Sequence, residues 1–84
     1  MTEHMYTIVK ELSRHGQLIK SATLLQTSNR KVAVVRLHWL FVNQIRRWIN
    51  DPPGKINKGF NPKDYSYYCM NKLRDELLVV RLKE

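Results

Sequence analysis

Three histidines, one cysteine and seven carboxylates are the groups of this 84-residue chain that acid–base, nucleophilic or metal chemistry would use. Their spacing argues against each. His4, His15, His38 and Cys69 are dispersed, with no CxxC or HxxxH pair to present two metal ligands from one turn. Glu11 and His15 stand four residues apart, a separation that on a helix marks a surface pair more than an acid–base couple. No glycine-rich loop follows a strand, and no serine occupies a nucleophile elbow. Cys69 lies among apolar residues and reads as a small buried hydrophobe. No catalytic residue, metal site or cofactor is assigned, and an enzyme is not expected.

The remaining chemistry is charge. Fifteen Lys and Arg face seven Asp and Glu, for a net charge of +8 and a pI of about 10.0. Between Glu11 and Asp51 there is no acidic residue, whereas Arg14, Lys20, Arg30, Lys31, Arg36, Arg46 and Arg47 all fall there. A cationic run of this length attracts polyanions, and double-stranded DNA is the expected partner. Lys55, Lys58 and Lys63 lie near Gly54, Gly59 and Phe60, in what reads as a basic loop that follows a phosphate backbone or an ordinary connection anchored by Phe60.

These groups need elements to position them. The length suits a single domain over residues 1–84, and 43% apolar with 10% aromatic residues suffices for a core. Met5, Ile8, Val9 and Leu12 fall at helical spacing within Glu3 to His15, and Gly16 stands where a helix would stop. Leu18, Ile19, Ala22, Leu24 and Leu25 fit one face of a second helix from Gln17 to Gln26. Arg30 to Asn50, capped by Ser28 or Asn29, reads as a helix with Val32, Val35, Trp39, Val42 and Ile49 along its stripe. A strand also fits, because Ala33, Val35, Leu37, Trp39 and Phe41 alternate. Asp51, Pro52, Pro53 and Gly54 end the segment. Asn61-Pro62 offers a cap and first turn for a last helix, with Tyr65, Cys69, Leu73 and Leu77 as its buried stripe. The expected fold class is mainly α, a small helical domain; the alternative is α+β with a hairpin around Ser21 to Trp39.

A helix-turn-helix needs a small residue inside its first helix, a tight turn about four residues on, and apolar residues that pack the second helix back. Ala22, Gln26, Val32 and Val35 fall at those places, with Leu25 the last core residue before the turn and Ser28 able to cap the second helix. Gly16-Gln17, Ala22, Leu24-Leu25, Gln26-Thr27-Ser28 and Arg30-Lys31 carry a family likeness. Over Gly16 to Leu37 the chain resembles the DNA-binding helix-turn-helix of Fis-like proteins and NtrC-class activators. The resemblance implies a transcriptional regulator whose second helix enters the major groove, and the short basic chain suits a phage or plasmid source. Ser28, Asn29, Arg30 and Ala33 would then face the bases, and Lys20, Lys31, Arg36, Arg46, Arg47, Lys55 and Lys58 the phosphates.

Two other partners fit the same charge. A protein-binding inhibitor or adaptor would set the cationic half on an acidic or nucleic-acid-binding surface of a larger partner, and an α+β fold would bind RNA by stacking aromatics on bases. Trp39, Phe41 and Trp48 are the candidates for a protein partner or a homodimer, Trp48 foremost because Arg46 and Arg47 adjoin it. No apolar run is long enough to span a bilayer, so no membrane partner is expected. A lone cysteine and a polar start point to the cytoplasm, or the nucleus if the source is eukaryotic.

Overall fold

The computed structural model describes residues 4–84. Strand β1 (Tyr6–Arg14) turns back into β2 (Gln17–Thr27), the helix α1 (Arg30–Ile45) follows, and β3 (Ile56–Asn61), β4 (Ser66–Asn71) and β5 (Glu76–Lys83) complete the chain. Short 3-10 turns at Arg46–Trp48 and Pro53–Lys55 link α1 to β3. The five strands form one sheet in the order β2-β1-β5-β4-β3, antiparallel throughout. One helix lies across one face of it.

The period of two that makes these segments strands is clearest in β5. Glu76, Leu78, Val80 and Leu82 are buried toward α1, while Leu77, Val79, Arg81 and Lys83 alternate onto the other face. Ile8 and Leu12 of β1 and Cys69 of β4 join them, and α1 contributes Ala33, Leu37 and Phe41. Trp48, 1% exposed, closes the core beyond the helix. On the open face the Tyr68 ring lies over Gly59, where a β-carbon would come within 2.6 Å of the phenol oxygen. Any larger residue there would push the Tyr68 ring aside.

The turns are built by local chemistry. His15 (φ 52°) and Gly16 (φ 78°) both take positive φ, the requirement of a two-residue turn matched to strand twist. Pro62 to Tyr65 and Lys72 to Asp75 form two similar four-residue turns, each ending on a residue of positive φ (Tyr65, 49°; Asp75, 51°). In each the preceding asparagine accepts a backbone N–H, Asn61 from Lys63 at 3.0 Å and Asn71 from Arg74 at 3.3 Å. Asn29 caps α1, its Oδ1 accepting from the N–H groups of Lys31 (3.0 Å) and Val32 (3.3 Å).

This architecture is α+β and overturns the mainly α expectation. The first and second helices are β1 and β2, apart from Glu3, which lies outside the described residues. The last helix is the β4–β5 hairpin, and its supposed stripe is split, with Cys69 buried and Leu73 exposed in a turn. The hairpin expected around Ser21 to Trp39 is also absent, because Trp39 lies in α1 and β2 pairs with β1 instead. No helix-turn-helix exists between Gly16 and Leu37. Ala22, which would have sat inside its first helix, is in β2 opposite Lys10. The helix reading of Arg30 onward holds, but its stripe is reversed: Val32, Val35, Trp39 and Ile49 are exposed, and Ala33, Leu37 and Phe41 are buried.

Candidate functional site

Most of the helix-turn-helix residues serve other ends. Asn29 is committed to its cap. Arg30 points to the chain terminus, with Nε 3.4 Å from Glu84 and its guanidinium 5.2 Å above the Tyr65 ring. Ala33 is 0% exposed beneath the helix and faces the sheet, so it cannot meet a base. Ser28 is exposed in the short link before α1. With no second helix to dock in a groove, the base-reading role of Ser28, Asn29, Arg30 and Ala33 loses its structural basis. Of the three aromatics considered for a partner, Phe41 and Trp48 are buried and Trp39 is 63% exposed.

The cations divide into separate groups instead of one patch. Lys55 and Lys58 belong to the β3 edge of the sheet, and Lys20 to the opposite β2 edge, about 19 Å away at ordinary strand spacing. Lys31 stands in the first turn of α1 and Arg46 just past its last, separated by about 22 Å of helix.

One group does converge, between α1 and the β1–β2 hairpin. Lys10 shares strand parity with Ile8 and Leu12 and so rises on the helix side of β1, where its ammonium donates to Oε1 of Gln44 on α1 at 2.9 Å. Lys20, paired with Leu12, rises from β2 on the same side. Burial lowers the Lys10 pKa, and the charges of Lys20 and Arg47 lower it further, so three cations lie within each other's field. Arg14 and Arg47 extend the group, with guanidinium nitrogens 3.1 and 3.9 Å from the Glu76 carboxylate. The result is a trough between the hairpin and the helix end, holding Lys10, Arg14, Lys20 and Arg47. Glu76 is buried beneath it. Arg36 lies apart from this group, lining a shallow hollow on the outer side of α1 with Asn29, Lys31, Val32 and Val35.

Lys10 and Arg14 were not among the phosphate candidates drawn from the sequence. Lys10 becomes legible once β1 is a strand, as a lysine on the core parity between two buried aliphatics.

The opposite flank of α1 differs. His38 and Phe41 lean on Tyr67 of β4 at 5.3 and 5.2 Å between ring centroids. Beyond them lies an apolar groove of about 520 Å³, lined by Val42, Ile45, Trp48, Ile49, Ile56 and Cys69, with Arg46 and Lys58 also in its lining. Burial pushes the Cys69 thiol pKa up, which suits a packing residue. The Trp48 indole N–H has no acceptor among the described residues.

Among the described residues no three His, Cys, Asp or Glu side chains come close enough to hold a metal ion, and no helix is long and apolar enough to cross a membrane. Comparison of the chain with protein-family models, curated proteins and solved structures gives no match.

Proposed function

We propose that the protein binds nucleic acid through its phosphate backbone, with duplex DNA seated along the trough between α1 and the β1–β2 hairpin. The observation that carries this reading is the convergence of Lys10, Lys20 and Arg47 on one side of the sheet. Concentrated like charges raise the energy of the free protein and are relieved by a polyanion, which releases its own counterions on binding. Duplex DNA is favoured over a single strand because its two strands together carry one negative charge per about 1.7 Å of axis, twice the density of either strand alone. The contacts are with phosphates, so affinity is salt-dependent and sequence preference weak.

Fluorescence anisotropy with labelled duplex DNA, single-stranded DNA and duplex RNA, each over a range of salt, tests the reading. Binding to the duplex should weaken with a slope of roughly −4 in log K against log salt, as expected when the four trough cations each meet a phosphate. Lys20→Glu should lower affinity and flatten that slope by about one unit or more. Lys63→Glu, in the β3–β4 turn, should change little. Failure to bind any of the three at low salt, or an equal loss from Lys63→Glu and Lys20→Glu, would remove the trough from consideration.

A further inference from the structure

The outer face of α1 carries Val32, Val35, Trp39 and Val42 along one stripe, with Ile49 continuing it past the helix end. Val35 is 61%, Trp39 63% and Ile49 79% exposed. A helix that is apolar on two opposite sides belongs between two layers, and this sheet supplies only one of them. The stripe leads directly into the 520 Å³ groove, because Val42 and Ile49 help to line it. Lys31 and Arg46 flank the stripe, Lys58 helps to line the groove, and no carboxylate occurs anywhere in α1. The one acid in the groove lining, Asp51, is already bonded to Arg74 at 2.7 and 3.1 Å.

We infer that this face docks an acidic amphipathic helix of another protein, which lays its apolar side on Val32, Val35 and Trp39 and seats one large side chain in the groove beside Trp48. Charge selects this occupant. A second copy of the chain related by a two-fold axis would bring Lys31 and Arg46 against further cations with no carboxylate to meet them. An anionic bilayer would satisfy the charge but offers no protruding side chain to fill a concave groove. A helix with apolar residues at i, i+3, i+4 and i+7 and glutamates alongside satisfies both. The face lies apart from the trough, since the stripe points away from the sheet whereas Lys10, Arg14 and Lys20 stand on β1 and β2.

Three helical peptides of one composition class form the probe for the full chain: an acidic amphipathic peptide with Leu and Phe on one face, its shuffled counterpart, and a version with Lys for Glu. The acidic amphipathic peptide should shift Trp emission to shorter wavelength and saturate, binding about tenfold or more tighter than the shuffled one. The shift should be lost in Trp39→Phe, since Trp48 is already buried. Val35→Asp should abolish binding with unchanged circular dichroism and melting, while Lys20→Glu should leave it intact. The inference falls if no acidic peptide binds, if the shuffled peptide binds equally, or if Val35→Asp still binds. It also falls if phosphatidylserine vesicles give the shift and the peptide does not, or if sedimentation shows a dimer that Val35→Asp dissociates.

Discussion

On its inner side α1 sets Ala33, Leu37 and Phe41 against β1, β4 and β5, and all three are buried. On its outer side it carries Val32, Val35, Trp39 and Val42, which are as apolar and also recur at helical spacing, and most of that surface is open. Both rows satisfy the period of a helix. Apolarity therefore shows that each row seeks a cover, and only the tertiary fold decides which row the chain itself covers. The outer row is the informative one, because burying a leucine-sized side chain is worth about 1.5–3 kcal/mol and a folded chain left several such contributions unused there.

The sharpest way to break that contrast is to truncate one residue from each row. Leu37→Ala removes a side chain that is 1% exposed and leaves a cavity against the sheet, so urea denaturation should show a loss of about 2–5 kcal/mol. Trp39→Ala removes a larger side chain and should change stability by no more than about 0.5 kcal/mol, because the ring is already in solvent. Equal losses would mean that the two rows do not differ in burial and that no second cover is needed.

The contrast also explains which parts of the fold were legible. α1 itself was, because Asn29 signals a cap and the following run has helical length. Which of its rows faces inward was not, since the apolar residues surround the helix. The strands were hidden by coincidences of period. β1 places Lys10 between Ile8 and Leu12, which removes one beat of the alternation and leaves Met5, Ile8, Val9 and Leu12 looking helical. In β2, register shifts opposite Ile8/Val9 and Leu12/Ser13 leave Leu24 and Ile19 without partners, and these extra residues produce pairs such as Leu24-Leu25 that imitate a helical face. His15-Gly16 reads equally as a helix stop or a two-residue turn. Asn61-Pro62 serves equally as a helix cap or the opening of a tight turn. For the site, Lys20 and Arg47 were legible as cations, but their convergence with Lys10 and Arg14 depends on the β1–β2 pairing that those coincidences concealed.

The comparison of the two sides of the helix extends to charge. Among the described residues the inner side of the sheet buries a single carboxylate, Glu76, between Arg14 and Arg47, and it restrains the trough's positive charge. Glu76→Gln keeps its volume and removes that charge. Because both guanidiniums are nearly half exposed, the lost pairing should cost only about 1 kcal/mol in denaturant unfolding. The same change should tighten duplex binding and steepen its salt dependence, as the trough gains one net positive charge. Weaker binding by a folded Glu76→Gln protein would indicate that Glu76 acts by aiming Arg14 and Arg47 more than by neutralising them.

A last and smaller effect concerns how the outer row is held beside its groove. Asp51 follows α1 and accepts from Nε and Nη2 of Arg74 and, at 2.7 Å, from Nδ2 of the buried Asn71, which fastens the chain after the helix to the β4–β5 turn. The hydrogen bond from Arg74, reinforced by that from Asn71, holds the Asp51 carboxyl below the usual aspartate range. A carboxyl whose pKa is lower folded than unfolded contributes stability in full above the unfolded value, about 3.9, and loses it as pH falls through the folded one. Asp51→Asn abolishes that titration while keeping the side chain's size. The stability gap between the native chain and Asp51→Asn should therefore be widest near neutrality and close as pH drops below about 4. Urea midpoints measured for both proteins across that interval check the sign, and a gap that widened in acid would mean that the Arg74 clasp does not fasten this end of the helix.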